Sequence, residues 1–194
     1  MSDAGGGDTL VRPMLGSEAE LHRLSYEDVL RMVEAGVMAD EDRVELVDGV
    51  LVDMTPPSAV HSAMVAWLTR HFTLDAGERE VRVQDLLLVE GGFRMPDLMV
   101  IEGGSRDRHP STALLVVEVS VTTQRRDAGK LRHYALAGVG EYWIVDVPAR
   151  AVRVHRRPGK GGYEQVAVYR DGNQVATPVG APPVRVSELL GGAS

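Results

Sequence analysis

Residues 113–119, with the sequence ALLVVEV, constrain the fold more than any other part of the chain. Six of these seven residues are apolar and the run shows no polar alternation. Such a strand is typical of a sheet that is covered on both faces. Because the chain also carries helical patterns on either side of this run, we predict a mixed α/β domain with one central sheet and helices packed on it.

Cap and turn residues place the other elements. Ser25 with Asp28 predicts a capped helix that ends near Gly36, and Ser58 predicts the cap of a second helix through about residue 74. A third helix is expected from Thr122 or Thr123 to about residue 137. Asp48 and Gly49 predict the turn of a tight hairpin. Further strands are expected near residues 81–83, 86–89, 98–101, 113–119, 141–146, 151–155 and 163–169, and a short helix or strand near 187–190.

Composition excludes several classes of protein. The chain has no cysteine, which rules out a disulfide framework, a thiolate zinc site and a cysteine nucleophile, and fits a reducing compartment such as the cytoplasm. No apolar run approaches the roughly 20 residues of a membrane span. Residues 1–20 do not resemble a secretory signal. We expect a flexible lead-in at 1–20 and a single domain at 21–194.

Charge is distributed unevenly along the chain, whose net charge is −7. Residues 1–102 contain 20 acidic and 8 basic residues, whereas residues 103–194 contain 8 acidic and 13 basic residues. The acidic total argues against broad coating of nucleic acid. The asymmetry indicates either a metal site beside a phosphate-facing surface or nothing beyond solvation. Arg125 and Arg126, near the start of the third helix, are candidates for phosphate contact.

Two acids lie in or beside apolar strands. Asp97 begins the run PDLMVI, and Glu118 lies near the end of ALLVVEV. A buried carboxylate is costly unless it is paired, protonated or bound to a metal. If the two strands are neighbours, a divalent cation would offset the repulsion between the acids, and oxygen ligands favour Mg²⁺ or Mn²⁺. Structural carboxylates at a loop edge are the alternative interpretation.

Lys130 is one of only two lysines, against 19 arginines. On the third helix, Asp127 and Tyr134 lie three residues before it and four after it, on the same face. Its ammonium could orient or help deprotonate a metal-bound water, although a solvated helix lysine would give the same pattern. Glu45 is either a further ligand or base, or an outward-facing strand residue paired with Arg43 or a neighbour.

The remaining motifs give less. His61 on the second helix is a supporting candidate, and a structural histidine is the alternative. The histidines lack the HExxH spacing of a metalloprotease. Neither GxGxxG nor GxxxxGK[ST] occurs, so nothing supports a nucleotide-binding loop. Ser120 has no histidine placed to activate it as a nucleophile.

Taken in order, these residues resemble one known family. Glu45 in ELVDG, His61 on a helix, Pro96-Asp97, EVS at 118–120, DxxK at 127–130, Tyr134, Gly138 and EYWIVD are similar to the Uma-type restriction endonuclease family, a mainly bacterial branch of the PD-(D/E)XK nuclease superfamily. The likeness covers about residues 25 to 155. It departs from the superfamily pattern at Ser120, where a lysine is expected, and Lys130 resembles a lysine that has migrated to the next helix.

The resemblance implies a restriction-endonuclease-like central mixed sheet flanked by helices, often in a homodimer, and hydrolysis of DNA phosphodiester bonds. It implies Asp97, Glu118 and the Val119 carbonyl as Mg²⁺ or Mn²⁺ ligands, Lys130 as the group that positions water, and Glu45 as an assisting acid. A second hypothesis is a catalytically inactive binding or assembly module that kept the nuclease fold. The acidic net charge and Ser120 favour it. A nuclease that acts on RNA or serves a mobile element is a third possibility.

Overall fold

The computed structural model describes residues 21–39, 41–104, 107–122 and 127–191. Its helices are α1 (Tyr26–Glu34), α2 (Ala59–Leu74), α3 (Asp127–Leu136) and α4 (Val186–Leu189). Its strands are β1 (Val44–Val47), β2 (Val50–Asp53), β3 (Glu80–Arg82), β4 (Leu87–Val89), β5 (Gly92–Arg94), β6 (Leu98–Ile101), β7 (Leu115–Ser120), β8 (Glu141–Asp146), β9 (Ala151–Gly159), β10 (Gly162–Arg170), β11 (Gln174–Val175) and β12 (Val184–Arg185).

The central sheet is mixed and has six strands in the order β10-β9-β8-β7-β6-β3. Only β7 and β8 pair in parallel within it, and α3 lies in the connection between them. A parallel pair needs such a crossover connection, which places α3 against one face of the sheet. The fold class predicted from the sequence is therefore confirmed.

Strand β7 is covered on both faces, as its apolar sequence predicts. Leu115, Val117 and Val119 pack with α2, whereas Val116 points to the opposite face and packs with Tyr134 of α3. Side chains alternate between the faces of a strand, so Glu118 shares the face of Val116. This alternation directs the only acid of β7 toward α3.

The predicted hairpin is present but belongs to a second sheet. Strands β1 and β2 pair in antiparallel register across Asp48 and Gly49, whose φ angles of 48° and 76° fit a tight turn. Strand β1 also pairs with β5, which gives a four-stranded sheet in the order β2-β1-β5-β4. The sequence pattern did not separate this sheet from the central one, because periodicity does not specify which strands pair.

Most predicted boundaries agree with the structure within one or two residues, but β9 extends four residues beyond its predicted end, and β5, β11 and β12 were not predicted. The capping box of Ser25 and Asp28 and the Ser58 cap are both present. The predicted lead-in at 1–20 and one of the proposed caps, Thr123, lie outside the described residues. In the part of the chain that the structure describes, no helix is long and apolar enough to cross a membrane.

Gly92 allows the second sheet to form. Its φ is 148°, and a Cβ atom at this position would collide with the backbone carbonyl of Leu46 on β1. Gly92→Ala should therefore lower the free energy of unfolding by about 2 kcal/mol or more, from backbone strain and overpacking. Urea denaturation tests this. Gly161→Ala is the matched control, because a Cβ there meets nothing within 4 Å, and equal stability of the two variants would contradict the prediction.

Candidate active site

Glu118 is the centre of a cluster between β7 and α3. Its side chain is 12% exposed, and Oε1 accepts hydrogen bonds from Lys130 Nζ at 2.9 Å and from the Tyr134 hydroxyl at 2.7 Å. Lys130 and Tyr134 lie one turn apart on α3, so a single helical face supplies both donors. The Tyr134 side chain is fully buried, which fixes the position of its hydroxyl.

Asp97 lies immediately before β6, next to the end of β7. The residue is 6% exposed, and Oδ2 accepts the backbone N–H of Val119 at 2.7 Å. The same oxygen lies 2.9 Å from His61 Nε2 on α2. The pairing of β6 with β7 thus brings Asp97 and Glu118 to one edge of the sheet, where the sequence placed them.

Glu45 reaches this cluster from the second sheet. The residue is 8% exposed, and Oε1 accepts the backbone N–H of Met95 at 3.1 Å. Lys130 Nζ lies 3.3 Å from the same oxygen, so the ammonium bridges Glu45 and Glu118. The interpretation of Glu45 as an outward-facing residue paired with Arg43 is wrong, and so is that of Lys130 as a solvated helix lysine.

Burial and mutual repulsion shape the electrostatics of the cluster. Burial raises the pKa of Glu118 to about 7, with Asp97 and Glu45 adding to the rise and Lys130 opposing it. Burial lowers the pKa of Lys130, but the attraction of Glu118 and Glu45 outweighs it and leaves that pKa above its usual value. Burial and the neighbouring Glu118 raise the pKa of Tyr134 well above 10. Lys130 is therefore a cation and Tyr134 a neutral donor at neutral pH.

His61 contacts Asp97, and this contact affects the pKa of its ring. Its hydrogen bond to Asp97 raises its pKa, although burial opposes this. The other ring nitrogen, Nδ1, is buried and has no hydrogen-bond partner among the described residues. Such an atom on the wall of a polar site is a position where water or a ligand would supply the missing bond.

The donor set fits a hard divalent cation held by few protein ligands. Within the described residues, Asp97 Oδ1 and Glu118 Oε2 accept no hydrogen bond, so each acid has an oxygen left. No group of three or more histidine, aspartate or glutamate side chains there is arranged to hold a metal ion. Mg²⁺ commonly takes one or two carboxylates and completes its shell with water and substrate phosphate.

A buried network of polar side chains lies behind the site and was not predicted from the sequence. Arg94 at the end of β5 is 2% exposed, and its Nη2 lies 2.6 Å from His133 Nδ1 on α3. His133 Nε2 lies 3.0 Å from Asp48 Oδ1 in the hairpin turn. Arg94 also donates to the carbonyl of Leu46 at 3.3 Å. This network connects the helix that carries Lys130 to the sheet that carries Glu45.

The chemistry of Arg94 fixes the proton on His133. A guanidinium can only donate, so Nδ1 must accept and Nε2 must carry the proton that it donates to Asp48. Burial and the nearby Arg94 lower the pKa of His133, and hydrogen bonding to Asp48 offsets this in part. His133 is therefore neutral in the folded protein at neutral pH.

The other predicted residues are placed as follows. Asp127 is the first residue of α3, and Ser120 ends β7 and donates its hydroxyl to the carbonyl of Thr122 at 2.9 Å. Arg125 and Arg126 lie outside the described residues. Sequence reasoning missed Arg94 and His133, and it gave Asp48 only the role of a turn residue. A charged residue in the apolar stretch FRMPDLMV, and a histidine three residues after Lys130, were the available signals.

Comparison with known proteins adds to this geometry. The family model Uma2, described as "Putative restriction endonuclease", matches residues 26–186. A solved structure from Anabaena variabilis, described as "a putative nuclease belonging to DUF820", superposes with a TM-score of 0.71 at 14% sequence identity. The alignment covers 87% of this chain and 98% of that chain, which shows a shared fold. No curated protein matches the chain.

Neutral His133 makes stability depend on pH. Its pKa in the folded protein is below the unfolded value of 6.5, so between these two values the unfolded state binds more protons, and stability falls as pH falls below 6.5. His133→Gln removes this dependence. The stability gap between wild type and variant should narrow toward pH 5, by at most about 1.4 kcal/mol per pH unit.

Chemical denaturation of both proteins between pH 5 and 8 measures this gap. His22→Gln, at an exposed histidine, is the control for the loss of a histidine outside this contact. A gap between wild type and His133→Gln that does not change with pH would contradict a buried neutral histidine.

Proposed function

The chain belongs to the Uma2 family, and from this membership and the geometry of the cluster we propose that it is a metal-dependent nuclease that hydrolyses DNA phosphodiester bonds. The observation that carries the proposal is the Lys130 ammonium, which contacts both Glu118 and Glu45 beside Asp97. Two acids with free oxygens next to a fixed cation suit a reaction in which negative charge builds up on phosphate.

We assign Asp97 and Glu118 as the residues that would hold Mg²⁺ or Mn²⁺. When bound, such a cation polarises a phosphate oxygen and makes water a better nucleophile near neutral pH. The Val119 N–H points at Asp97, and the N–H and C=O of one strand residue leave on the same edge. This supports the Val119 carbonyl as a further ligand.

Lys130 acts in this proposal as a fixed donor. Its pKa is raised by Glu118 and Glu45, so the amine keeps its proton and does not serve as a base. It orients the attacking water and offsets charge on the phosphate in the transition state. In this proposal Glu45, on the other side of the ammonium, accepts the proton that the water loses.

Tyr134 and His61 act through the two metal-holding acids. The Tyr134 hydroxyl donates to Glu118 Oε1 and leaves Oε2 for the cation. His61 contacts Asp97 Oδ2 and leaves Oδ1 for it. Both are positioning residues in this scheme, since each fixes the orientation of a carboxylate without touching the substrate.

The second hypothesis is a catalytically inactive binding or assembly module with the same fold. Ser120 favours it, because the serine replaces the lysine expected in the superfamily pattern. The contact of Lys130 with Glu118 favours the enzyme, because it supplies the expected ammonium from α3 instead of from position 120 on β7. The two hypotheses differ in metal binding and in cleavage.

Cleavage of plasmid DNA tests the enzyme directly. With Mg²⁺ or Mn²⁺, wild type should nick or linearise plasmid, and Asp97→Ala and Lys130→Ala should be at least about 100-fold slower. Lys160→Ala is a matched control, because Lys160 is the other lysine of the chain and is exposed. Equal cleavage by all four proteins would indicate a contaminating nuclease and defeat the assignment.

Calorimetry tests metal binding without any need for turnover. Mg²⁺ and Mn²⁺ should bind wild type, and Asp97→Asn or Glu118→Gln should weaken binding by about 10-fold or more, because each removes a charged ligand. Absence of binding to wild type would favour the inactive module. Circular dichroism spectra of the variants check that each remains folded.

We also propose a homodimer, as the family resemblance implies. Light scattering on the eluting peak of a sizing column should give twice the mass of one chain. A mass of one chain at micromolar concentration would contradict it.

A further inference from the structure

Arg43 immediately precedes β1, the strand that carries Glu45. Its carbonyl accepts the N–H of Met54 at 2.8 Å, which extends the β1–β2 ladder by one residue. Residues two apart on a strand point to the same face, so Arg43 and Glu45 project from the same side of β1. Glu45 reaches Lys130, and Arg43 is exposed at the rim of the same site.

Gln84 fixes the Arg43 guanidinium. Arg43 Nη1 donates to Gln84 Oε1 at 3.1 Å. The Gln84 backbone N–H donates in turn to the carbonyls of Pro96 and Asp97, at 3.2 and 3.3 Å. A short chain of contacts therefore connects the guanidinium to the backbone of a proposed metal-holding residue.

The backbone of Gln84 supports a role for its side chain. Its φ is 49°, in the left-handed region where glycine is favoured. A non-glycine residue there costs about 1 kcal/mol or more, and such residues cluster at functional sites. Because glycine would cost less, the side-chain amide that holds Arg43 is the feature that distinguishes glutamine at this position.

In the part of the chain that the structure describes, no acid neutralises the charge of Arg43. No carboxylate lies within ion-pair distance of it among the described residues, although residues 1–102 contain 20 acids. Arg31 and Arg82 in the same half do have acidic partners. An amide orients a guanidinium without neutralising it, and four of its five N–H donors remain for a bidentate contact with phosphate.

Arg43 is thus connected through Gln84 to the backbone of Asp97, and it lies two residues before Glu45. An arginine so placed lies at the edge of the site without belonging to the group that would hold the cation.

We propose that Arg43, oriented by Gln84, binds a backbone phosphate of the DNA substrate next to the phosphate that is cleaved. Arg43 is then a positioning residue, which places the polymer across the site and does not take part in bond cleavage. This inference rests on the proposed nuclease activity, and its test must separate a failure of Arg43 from a failure of that activity.

Two substrates make this separation possible. A DNA duplex has neighbouring phosphates, whereas bis(p-nitrophenyl) phosphate is a small diester with none. Arg43→Ala should raise the KM for the duplex about 10-fold, from the loss of a charged contact, and leave kcat for both substrates within about two-fold. Arg43→Lys keeps the charge but cannot make the bidentate contact, so it should recover only part of the loss in KM.

Salt dependence gives a readout that a purely structural role would not change. Each lost phosphate contact lowers the slope of log KM against log salt concentration by about one, so Arg43→Ala should show that decrease on the duplex. Arg170→Ala is the matched control, since Arg170 is exposed on β10 and has no carboxylate partner among the described residues. It should behave as wild type.

Gln84→Glu tests the orientation of Arg43 without removing it. The new carboxylate would pair with the guanidinium, so duplex binding should weaken although Arg43 is present. In the Arg43→Ala background, the same change should have a smaller effect, because the pair no longer exists.

The outcomes are distinguishable. If Arg43→Ala cleaves the duplex as wild type does at every salt concentration, the inference is wrong and the nuclease proposal stands. An equal loss on both substrates, or an equal loss in Arg170→Ala, also overturns it. If wild type cleaves neither substrate, the nuclease proposal itself fails and the role of Arg43 fails with it.

Discussion

The ammonium of Lys130 between Glu118 and Glu45 is the contact on which the arrangement of this protein depends. The amine lies 2.9 Å from one carboxylate and 3.3 Å from the other, with little exposure of any of the three side chains. Removing one partner from a buried charge cluster costs far more free energy than the intact cluster contributes to stability. The structure must therefore hold α3 and two separate sheets in fixed positions, since each supplies one member.

The buried network of Arg94, His133 and Asp48 meets this requirement. His133 and Tyr134 follow Lys130 by three and four residues on α3, so one helix face serves both the site and its support. Asp48 and Arg94 belong to the second sheet, as Glu45 does. The buried hydrogen bonds fix the distance across which the ammonium reaches Glu45, and a neutral His133 is a condition for them.

Local signals in the sequence were sufficient for most of the fold. The capping box at Ser25, the turn at Asp48 and the mainly apolar run of β7 act over a few residues, and each appears where it was expected. Asp97, Glu118 and Lys130 could be chosen as candidates because a charge in or beside an apolar strand, and a rare lysine on the following helix, are visible without a structure. Periodicity did not reveal that β1 and β2 join a separate sheet.

The sequence by itself determined where most of the helices and strands form, and which face of β7 carries its acid, because cap chemistry and side-chain alternation are local properties. The short strands β5, β11 and β12 were not predicted. Only the tertiary structure decided which distant groups meet. His133 and Asp48 are 85 residues apart, Arg94 and His133 are 39 apart, and Arg43 and Gln84 are 41 apart. Such contacts follow from the packing of buried polar groups that must find partners, and no spacing along the chain encodes that choice.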